Sequence, residues 1–156
     1  MKTSSPRAAP GGPPVDPLRS RMMAAVRGKD TKPEMAVRRH LHAAGLRYAL
    51  HRKDLPGTPD IVLRKHRAVV LVHGCFWHGH DCRAGRIPST RTEWWSAKIA
   101  ANRARDGRTR DRLAELGWRV FEVWECGIKD AARLDDLVGR IRGGPDAAGD
   151  GERPRP

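Results

Sequence analysis

The sequence has only three cysteines and no long apolar segment. Three cysteines cannot all pair with one another, so a framework of disulfide bonds is not expected. The longest apolar run is far shorter than the ~18 residues that a membrane span needs. The first twenty residues contain proline, glycine and serine but no apolar core, which argues against a signal peptide. We therefore expect a soluble, cytoplasmic protein.

Acidic side chains are also in short supply. The 156 residues include 31 Lys and Arg against 18 Asp and Glu, a formal net charge of +13. The excess lies in residues 21–130, which carry 23 basic and 12 acidic side chains. A folded domain with this field suits a polyanion, of which nucleic acid is the usual example. The alternative is a basic bias that serves only solubility.

Composition predicts one domain between two tails. Residues 1–17 are rich in proline and glycine, and residues 143–156 have a similar composition, so both segments are expected to be disordered. Residues 18–142 are long enough for one domain with its own hydrophobic core.

Apolar periodicity, caps and turns predict the order α-β-β-β-α-β-α, an α/β sandwich with a mixed sheet. A capping box at residues 31–34 begins the first helix, and Gly45 ends it. Thr92 is expected to cap a long basic helix that ends before Gly117. The predicted strands are residues 46–51, 60–63, 68–72 and 118–124, and a last short helix covers 130–142.

The most unusual stretch is residues 69–82. It begins with an apolar run that is typical of a strand buried on both faces. The rest packs three histidines, two cysteines, a phenylalanine and a tryptophan into ten residues. Folding does not require this mixture at the end of a buried strand, whereas metal ligands, a proton-transfer group and stacking aromatics would. We therefore predict an active site here.

The cysteines and a histidine have the spacing of a zinc site. Cys75, His80 and Cys82 lie within eight residues, and Cys126 follows the last strand. A Cys3His set would close a four-coordinate structural zinc. The alternative is that the cysteines are small buried hydrophobic residues. On spacing alone, His73 or His78 could take the place of the histidine ligand.

Asp60 begins a predicted strand next to the one that ends at Val72 and His73. A carboxylate beside the Val72 carbonyl would form a hard-ligand site suited to magnesium. His78 and His73 are candidates for proton transfer. The alternative for Asp60 alone is a turn aspartate. Glu34 can equally be the capping-box glutamate, and Asp106 can equally be a solvated helix residue paired with arginines.

Aromatic residues lie among the basic ones. Phe76 and Trp77 fall between the cysteines, and Trp94 and Trp95 begin the basic helix, where they could stack on bases or wedge between them. Core packing is the alternative. We favour it for the two tryptophans of the last strand, and for one of Trp94 and Trp95, because adjacent helical residues face different ways.

Five motifs, in uniform spacing from about residue 20 to 130, carry a resemblance to a known family. They are Asp-Thr-x-x-Glu at 30–34, Leu-Pro-Gly-x-Pro-Asp at 55–60, His-Gly-Cys-Phe-Trp-His at 73–78, Thr-Arg-Thr-Glu-x-Trp at 90–95, and Leu-Gly-Trp-Arg-Val with Val-Trp-Glu-Cys at 116–126. They resemble the very-short-patch repair (Vsr) DNA mismatch endonucleases. The resemblance implies a restriction-endonuclease-like fold and a magnesium-dependent nick 5′ to the thymine of a T:G mismatch, the lesion left by deamination of 5-methylcytosine.

The resemblance also implies roles for individual residues. Asp60 would bind the catalytic magnesium beside the Val72 carbonyl, and His78 would transfer a proton. Supporting active-site positions would be Glu34, His73 and Asp106. The structural zinc ligands would be Cys75, His80, Cys82 and Cys126. The residues that wedge into the duplex would be Phe76, Trp77 and Trp95, supported by Met23.

The partner implied by the resemblance is double-stranded DNA with a T:G mismatch. Mismatch-repair proteins and a repair polymerase are candidate protein partners of a nucleoid-associated monomer. Two other functions remain open: a nuclease of the same fold that cuts matched or branched DNA, and a zinc-stabilised DNA-binding module without catalysis. The module leaves the clustered acidic and histidine residues without a shared purpose.

Overall fold

A computed structural model describes residues 29–143 of the chain. The predicted tails, apart from Gly143, and Met23 lie outside the described residues. The predicted order α-β-β-β-α-β-α is confirmed. The elements are α1 (Lys32–Ala43), β1 (Ala49–Leu50), β2 (Ile61–Leu63), β3 (Ala68–His73), α2 (Thr92–Glu115), β4 (Arg119–Trp124) and α3 (Ala131–Arg142).

The four strands form one mixed sheet in the order β1-β2-β3-β4. The β1–β2 and β2–β3 pairs are antiparallel, whereas β4 runs parallel to β3 after the α2 crossover. The first strand is much shorter than the predicted 46–51. It stops because His51 adopts a left-handed backbone with φ of 46°, although the His51 N–H still donates to the Asp60 carbonyl at 3.2 Å.

The predicted start of α1 is confirmed. The Thr31 hydroxyl accepts a hydrogen bond from the Glu34 amide at 3.4 Å, as an N-cap does. The Glu34 carboxylate reaches one residue further back than in a capping box and accepts from the Asp30 amide at 3.1 Å. Gly45, with φ of 83°, follows the end of the helix as predicted.

The predicted cap of α2 is wrong. Arg91 is the N-cap, in a left-handed conformation with φ of 55°, and Thr92 is already helical. The Thr92 hydroxyl donates to the carbonyls of Pro88 and Ser89, so it bonds backwards into the preceding loop. The predicted end is confirmed, because the helix stops at Glu115, two residues before Gly117.

The sheet lies between helices on both of its faces. Successive residues of β3 point to opposite faces, and both Val69 and Val70 are fully buried, as a strand covered on two sides requires. One face packs on α1 and α3, and the other on α2 through Leu113. The main core consists of Val37, Leu41, Leu46, Ile61, Leu63, Ala68, Val70, Phe121, Leu134, Leu137, Val138 and Ile141.

Among the described residues, no helix has both the length and the apolar character that crossing a membrane requires.

Candidate active site and metal cluster

The loop that follows β3 carries most of the predicted site. It folds back on itself through three backbone hydrogen bonds, among them the His80 amide to the Cys75 carbonyl at 2.9 Å. This compact loop separates its side chains into two groups. Cys75 and His80 turn to the end of β4, whereas His78 turns with His73 towards α2.

Four predicted zinc ligands come together: Cys75, His80, Cys82 and Cys126. Their ligand atoms all lie within 4.8 Å of one another, and the Cys126 sulfur is 3.5 Å from Nδ1 of His80. A tetrahedral zinc with typical bond lengths separates a sulfur and a nitrogen ligand by about 3.6 Å. The donor set and its spacing therefore fit a structural metal ion, with His80 rather than His73 or His78 as the imidazole.

The thiols of this Cys3His cluster differ in acidity. Burial raises the pKa of Cys75 to about 12. The hydrogen bond with His80 lowers the pKa of Cys82 to about 7. A divalent cation binds cysteine as the thiolate and deprotonates a coordinating thiol outright. A cation bound in the cluster would therefore lower the pKa of the buried Cys75 thiol more than that of Cys82.

Asp60 immediately precedes β2, and its side chain crosses to β3. Its carboxylate accepts a hydrogen bond from the Val72 amide at 2.9 Å. Asp60 and Val72 are close together, as predicted, but the Val72 group in direct contact with the carboxylate is the amide and not the carbonyl. Burial raises the pKa of Asp60, although this hydrogen bond and three nearby histidines act in the opposite direction. A cation at this carboxylate would stabilise its charged form.

His78 and Asp106 form a short hydrogen bond. Nδ1 of His78 lies 2.5 Å from the Asp106 carboxylate, although 28 residues separate them in the chain. The His73 ring lies 4.3 Å from that of His78, so two imidazoles are adjacent. Asp106 therefore contacts a histidine and not the neighbouring arginines that its helix position would offer.

Glu34 is almost fully buried, with 1% exposure, at the start of α1. Arg38 donates to its carboxylate at 3.2 Å, and Nε2 of His51 lies 2.9 Å from it, though not along a hydrogen-bonding direction. Burial raises the pKa of Glu34, and the charge of Asp60 raises it further. Two carboxyl groups with raised pKa values are thus close to each other, and His51 is a neighbour that sequence reasoning missed.

Three of the predicted aromatics pack edge to face. The centroid of the Phe76 ring lies 5.1 Å from the ring centroids of both Trp77 and Trp95. Trp95 is only 7% exposed, whereas Trp94 is 45% exposed and carries Arg91 and Lys98 over its ring. The prediction that only one of the adjacent tryptophans packs inside is confirmed.

The surroundings of Trp118, which precedes β4, differ from those of Trp124, which ends it. Trp118 packs against the small core under α2, as predicted. Trp124 stacks on His80 with centroids 4.4 Å apart and lies 5.0 Å from His73. It therefore stands between the Cys3His cluster and the histidine pair, a position that strand alternation alone could not reveal.

One stripe of α2 anchors the site at every fourth residue. Asn102 donates to the Trp77 carbonyl at 2.9 Å, Asp106 holds His78, and Arg110 binds both carboxylate oxygens of Glu122. Residues four apart share a helix face, which explains why one helix reaches all three. Sequence reasoning missed Asn102, Arg110 and Glu122. The available signal was that an amide, an acidic and a basic side chain follow one another at intervals of four residues on a helix that is otherwise mostly basic.

The chain is similar to known proteins over most of its length. The family model described as DNA mismatch endonuclease Vsr matches residues 16–84. The type II nicking enzyme V.XorIIP of Xanthomonas oryzae pv. oryzae is 56% identical over 128 residues, 81% of this chain and 94% of that protein. The DNA mismatch endonuclease Vsr of Escherichia coli K12 is 44% identical over 118 residues, 76% of each chain. The type II nicking enzyme V.NmeAIP of Neisseria meningitidis serogroup A is 44% identical over 128 residues, 80% of this chain and 91% of that protein.

These relatives define a class, the DNA endonucleases that nick their substrate. Within that class, the chain belongs to the Vsr family of DNA mismatch endonucleases. The family resemblance and the enzyme class predicted from the motifs are confirmed.

Proposed function

We propose that this protein nicks one DNA strand on the 5′ side of the thymine in a T:G mismatch and so starts very short patch repair. The proposal rests on one observation: Asp60 lies close to the hydrogen-bonded His78–Asp106 pair at the end of β3. A half-buried carboxylate beside a histidine backed by a second carboxylate is an arrangement for metal-assisted hydrolysis.

Asp60 and the Val72 carbonyl would hold the magnesium ion. The Val72 amide bonds to Asp60, and a strand residue projects its amide and carbonyl from the same edge, which supports this pairing. When bound, magnesium polarises the phosphate and acidifies a water molecule. The half-buried Asp60 carboxylate offers charge to a hard cation, and Glu34 adds a second acidic group nearby.

His78 would accept the proton of the attacking water. The Asp106 carboxylate can only accept a hydrogen bond when ionised, so Nδ1 of His78 carries the proton and Nε2 is left available. The adjacent His73 would support this step through its ring contact at 4.3 Å. A positioned base of this kind contributes about 100- to 10,000-fold to a rate.

The Cys3His cluster would hold zinc in a structural role. Its residues join the loop after β3 to the short turn Glu125–Gly127 that follows β4. Four protein ligands leave no open position for a substrate, which separates this site from the reaction. Zinc would therefore fix the loop on which His78 and the aromatic residues lie.

Phe76 and Trp77 would enter the duplex beside the mismatch. The resemblance implied Trp95 as a third wedge residue, but Trp95 is only 7% exposed, so we propose instead that it supports the other two from behind. A T:G pair costs less to unstack than a matched pair, so a wedge can select on deformability. The exposed arginines of α2 that precede Arg110, namely Arg103, Arg105 and Arg108, would contact phosphates of the DNA backbone. Met23 would support the wedge, and the DNA would meet a monomer of the protein.

The fold would be restriction-endonuclease-like. The mixed sheet with helices on both faces, and a carboxylate at the start of a strand beside the crossover, support this proposal. Mismatch-repair proteins and a repair polymerase remain the proposed protein partners, and the nucleoid the proposed location.

Single-turnover nicking by His78→Ala tests the proposed chemistry. With magnesium and a labelled T:G duplex, we expect the nicking rate to fall by about 100-fold or more, because the proton acceptor is gone. His66→Ala is the matched control, since its ring lies in the turn before β3 and should leave the rate unchanged. Equal rates for His78→Ala and the wild type would contradict the proposed base.

A further inference from the structure

The parallel pairing of β3 and β4 places an acidic residue beside His73. Leu71 pairs with Glu122, and His73 pairs with Trp124. Since alternate residues of a strand share a face, Glu122 and Trp124 lie on the side of the sheet that carries His73. This side faces α2, from which Arg110 reaches Glu122. The placement follows from the sheet register and not from closeness in the sequence.

The contacts around Glu122 join it to two partners. One carboxylate oxygen lies 3.1 Å from Nε2 of His73, which is itself 5% exposed. Arg110 donates to both oxygens, at 3.0 and 2.9 Å. Burial opposes the charge of Glu122, but the hydrogen bond with His73 and the charge of Arg110 outweigh it, so the pKa of Glu122 is lowered. The Glu122 carboxylate is therefore ionised and accepts hydrogen bonds from both neighbours.

An ionised carboxylate fixes which nitrogen of its histidine partner carries the proton. It can only accept, so Nε2 of His73 must donate and Nδ1 remains free. The ring plane is held by contacts with Trp124 at 5.0 Å and His78 at 4.3 Å. Ring contacts alone permit a flipped imidazole, and the hydrogen bond removes that freedom.

We propose that Glu122, held in place by Arg110, is a positioning residue that sets the tautomer and ring orientation of His73. Its role in the reaction rests on the proposed function, in which His73 supports the nicking step. The site then contains two histidines, each backed by a carboxylate: His78 by Asp106, and His73 by Glu122. Asp106 and Arg110 lie four residues apart on one face of α2, so a single helix surface controls both histidines.

The first test observes the ring directly and does not need activity. The full-length, zinc-loaded protein is labelled with ¹⁵N-histidine, and the His73 signal is assigned with His73→Gln. At pH 8 we expect wild-type His73 to carry its proton on Nε2. Glu122→Leu should lose this preference, whereas Glu122→Gln should keep it because its amide oxygen can still accept. A wild-type ring protonated on Nδ1 alone would overturn the proposal.

The second test separates binding from the nicking step. At saturating enzyme, Glu122→Leu should nick a T:G duplex about 10- to 100-fold more slowly, because a misplaced catalytic group costs that order of rate. Its Kd for the duplex should stay within about twofold, and Glu122→Gln should recover most of the rate. A fall in affinity with an unchanged rate would contradict a positioning role.

A double-variant cycle asks whether Arg110 acts through Glu122. Arg110→Met should slow the reaction less than Glu122→Leu, and the double variant should be no slower than Glu122→Leu alone. Arg112→Met is the charge-matched control on the same helix, since its side chain is exposed and no carboxylate of the described chain pairs with it. Additive losses would mean that Arg110 acts independently of Glu122 and would overturn that step.

The two tests distinguish the inference from the proposed function. If the wild type fails to nick a T:G duplex while His73 shows the Nε2 proton and Glu122→Leu loses it, the proposed function fails and the positioning of His73 stands. If the wild type nicks the mismatch and Glu122→Leu retains both the signal and the rate, the inference fails and the proposed function stands.

Discussion

Gly85 offers a test of the Cys3His loop that changes no ligand. A Cβ at this position would lie 1.9 Å from the His80 carbonyl oxygen and 3.2 Å from that of Cys75. Ordinary contacts are longer than 3 Å, so the backbone at His80 would have to retreat by more than about 1 Å. Rotation of a side chain cannot relieve the clash, because the opposing atoms belong to the backbone.

This displacement is large on the scale of a metal site, where distances vary by about 0.2 Å. The imidazole of His80 would move with its backbone, away from the Cys126 sulfur at 3.5 Å. We expect Gly85→Ala to weaken zinc binding by about 10- to 100-fold, as for loss of a supporting contact. The free energy of unfolding should fall by about 1–3 kcal/mol, as for overpacking.

Competition with a chromophoric zinc chelator measures the affinity, and urea unfolding measures the stability. Gly139→Ala is the matched control, because a Cβ there meets nothing within 4 Å in the interior of α3. Helix propensity predicts that this control gains about 0.5–1 kcal/mol and keeps its zinc. Wild-type zinc affinity and stability in Gly85→Ala would refute the close backbone packing of this loop.

Three further substitutions probe separate parts of the site. Asp60→Asn should raise the Tm of magnesium-free protein at pH 7, because burial raises the pKa of Asp60 and the charged carboxylate therefore costs stability. Cys126→Ser should lower zinc affinity by at least about 100-fold, since loss of a supporting contact alone costs 10- to 100-fold. Trp77→Ala should weaken binding to a T:G duplex by about 1–3 kcal/mol, the usual value of one stacked base, and leave matched-duplex affinity unchanged.

Each of these has its own control. The stability gain of Asp60→Asn should shrink as the pH falls from 7 towards about 4, because wild-type Asp60 takes up its proton first in the folded state, and it should be gone below about 4, where the unfolded Asp60 is protonated too. A lower Tm of the variant at pH 7 would count against this prediction. Zinc-stripped wild type should unfold like Cys126→Ser, and full zinc content in the variant would rule out Cys126 as a ligand. Trp94→Ala should change both duplexes equally, and the same behaviour from Trp77→Ala would remove the wedge.

Local signals explain why the order of elements could be predicted. The N-cap at Thr31 and the apolar run of β3 each depend on residues only a few positions apart in the chain, so they can be recognised without knowing the folded structure. The cap of α2 could not be predicted, because Thr92 prefers carbonyls of a loop whose path depends on the folded domain. The short β1 could not be predicted either, because the left-handed backbone that ends it occurs at His51, where no glycine signals it.

The parts of the site whose residues are neighbours in the chain were the easiest to predict. The spacing of Cys75, His80 and Cys82 identified the cluster directly. Asp106 could not be told from a solvated helix residue, because its partner His78 is 28 residues away. Glu122 was missed for the same reason: 49 residues separate it from His73, and only the parallel register of β3 and β4 brings them together.

Nicking of a single T:G mismatch tests the central claim most directly. The purified protein, with magnesium, is incubated with a labelled duplex that carries one T:G pair and with its fully matched twin. Asp60→Asn serves as the inactive partner, because its amide oxygen can still accept the Val72 hydrogen bond. We expect one nick 5′ to the mismatched thymine, absent from the twin and from Asp60→Asn. Equal cutting of both duplexes, or nicking by Asp60→Asn at the wild-type rate, would contradict the account.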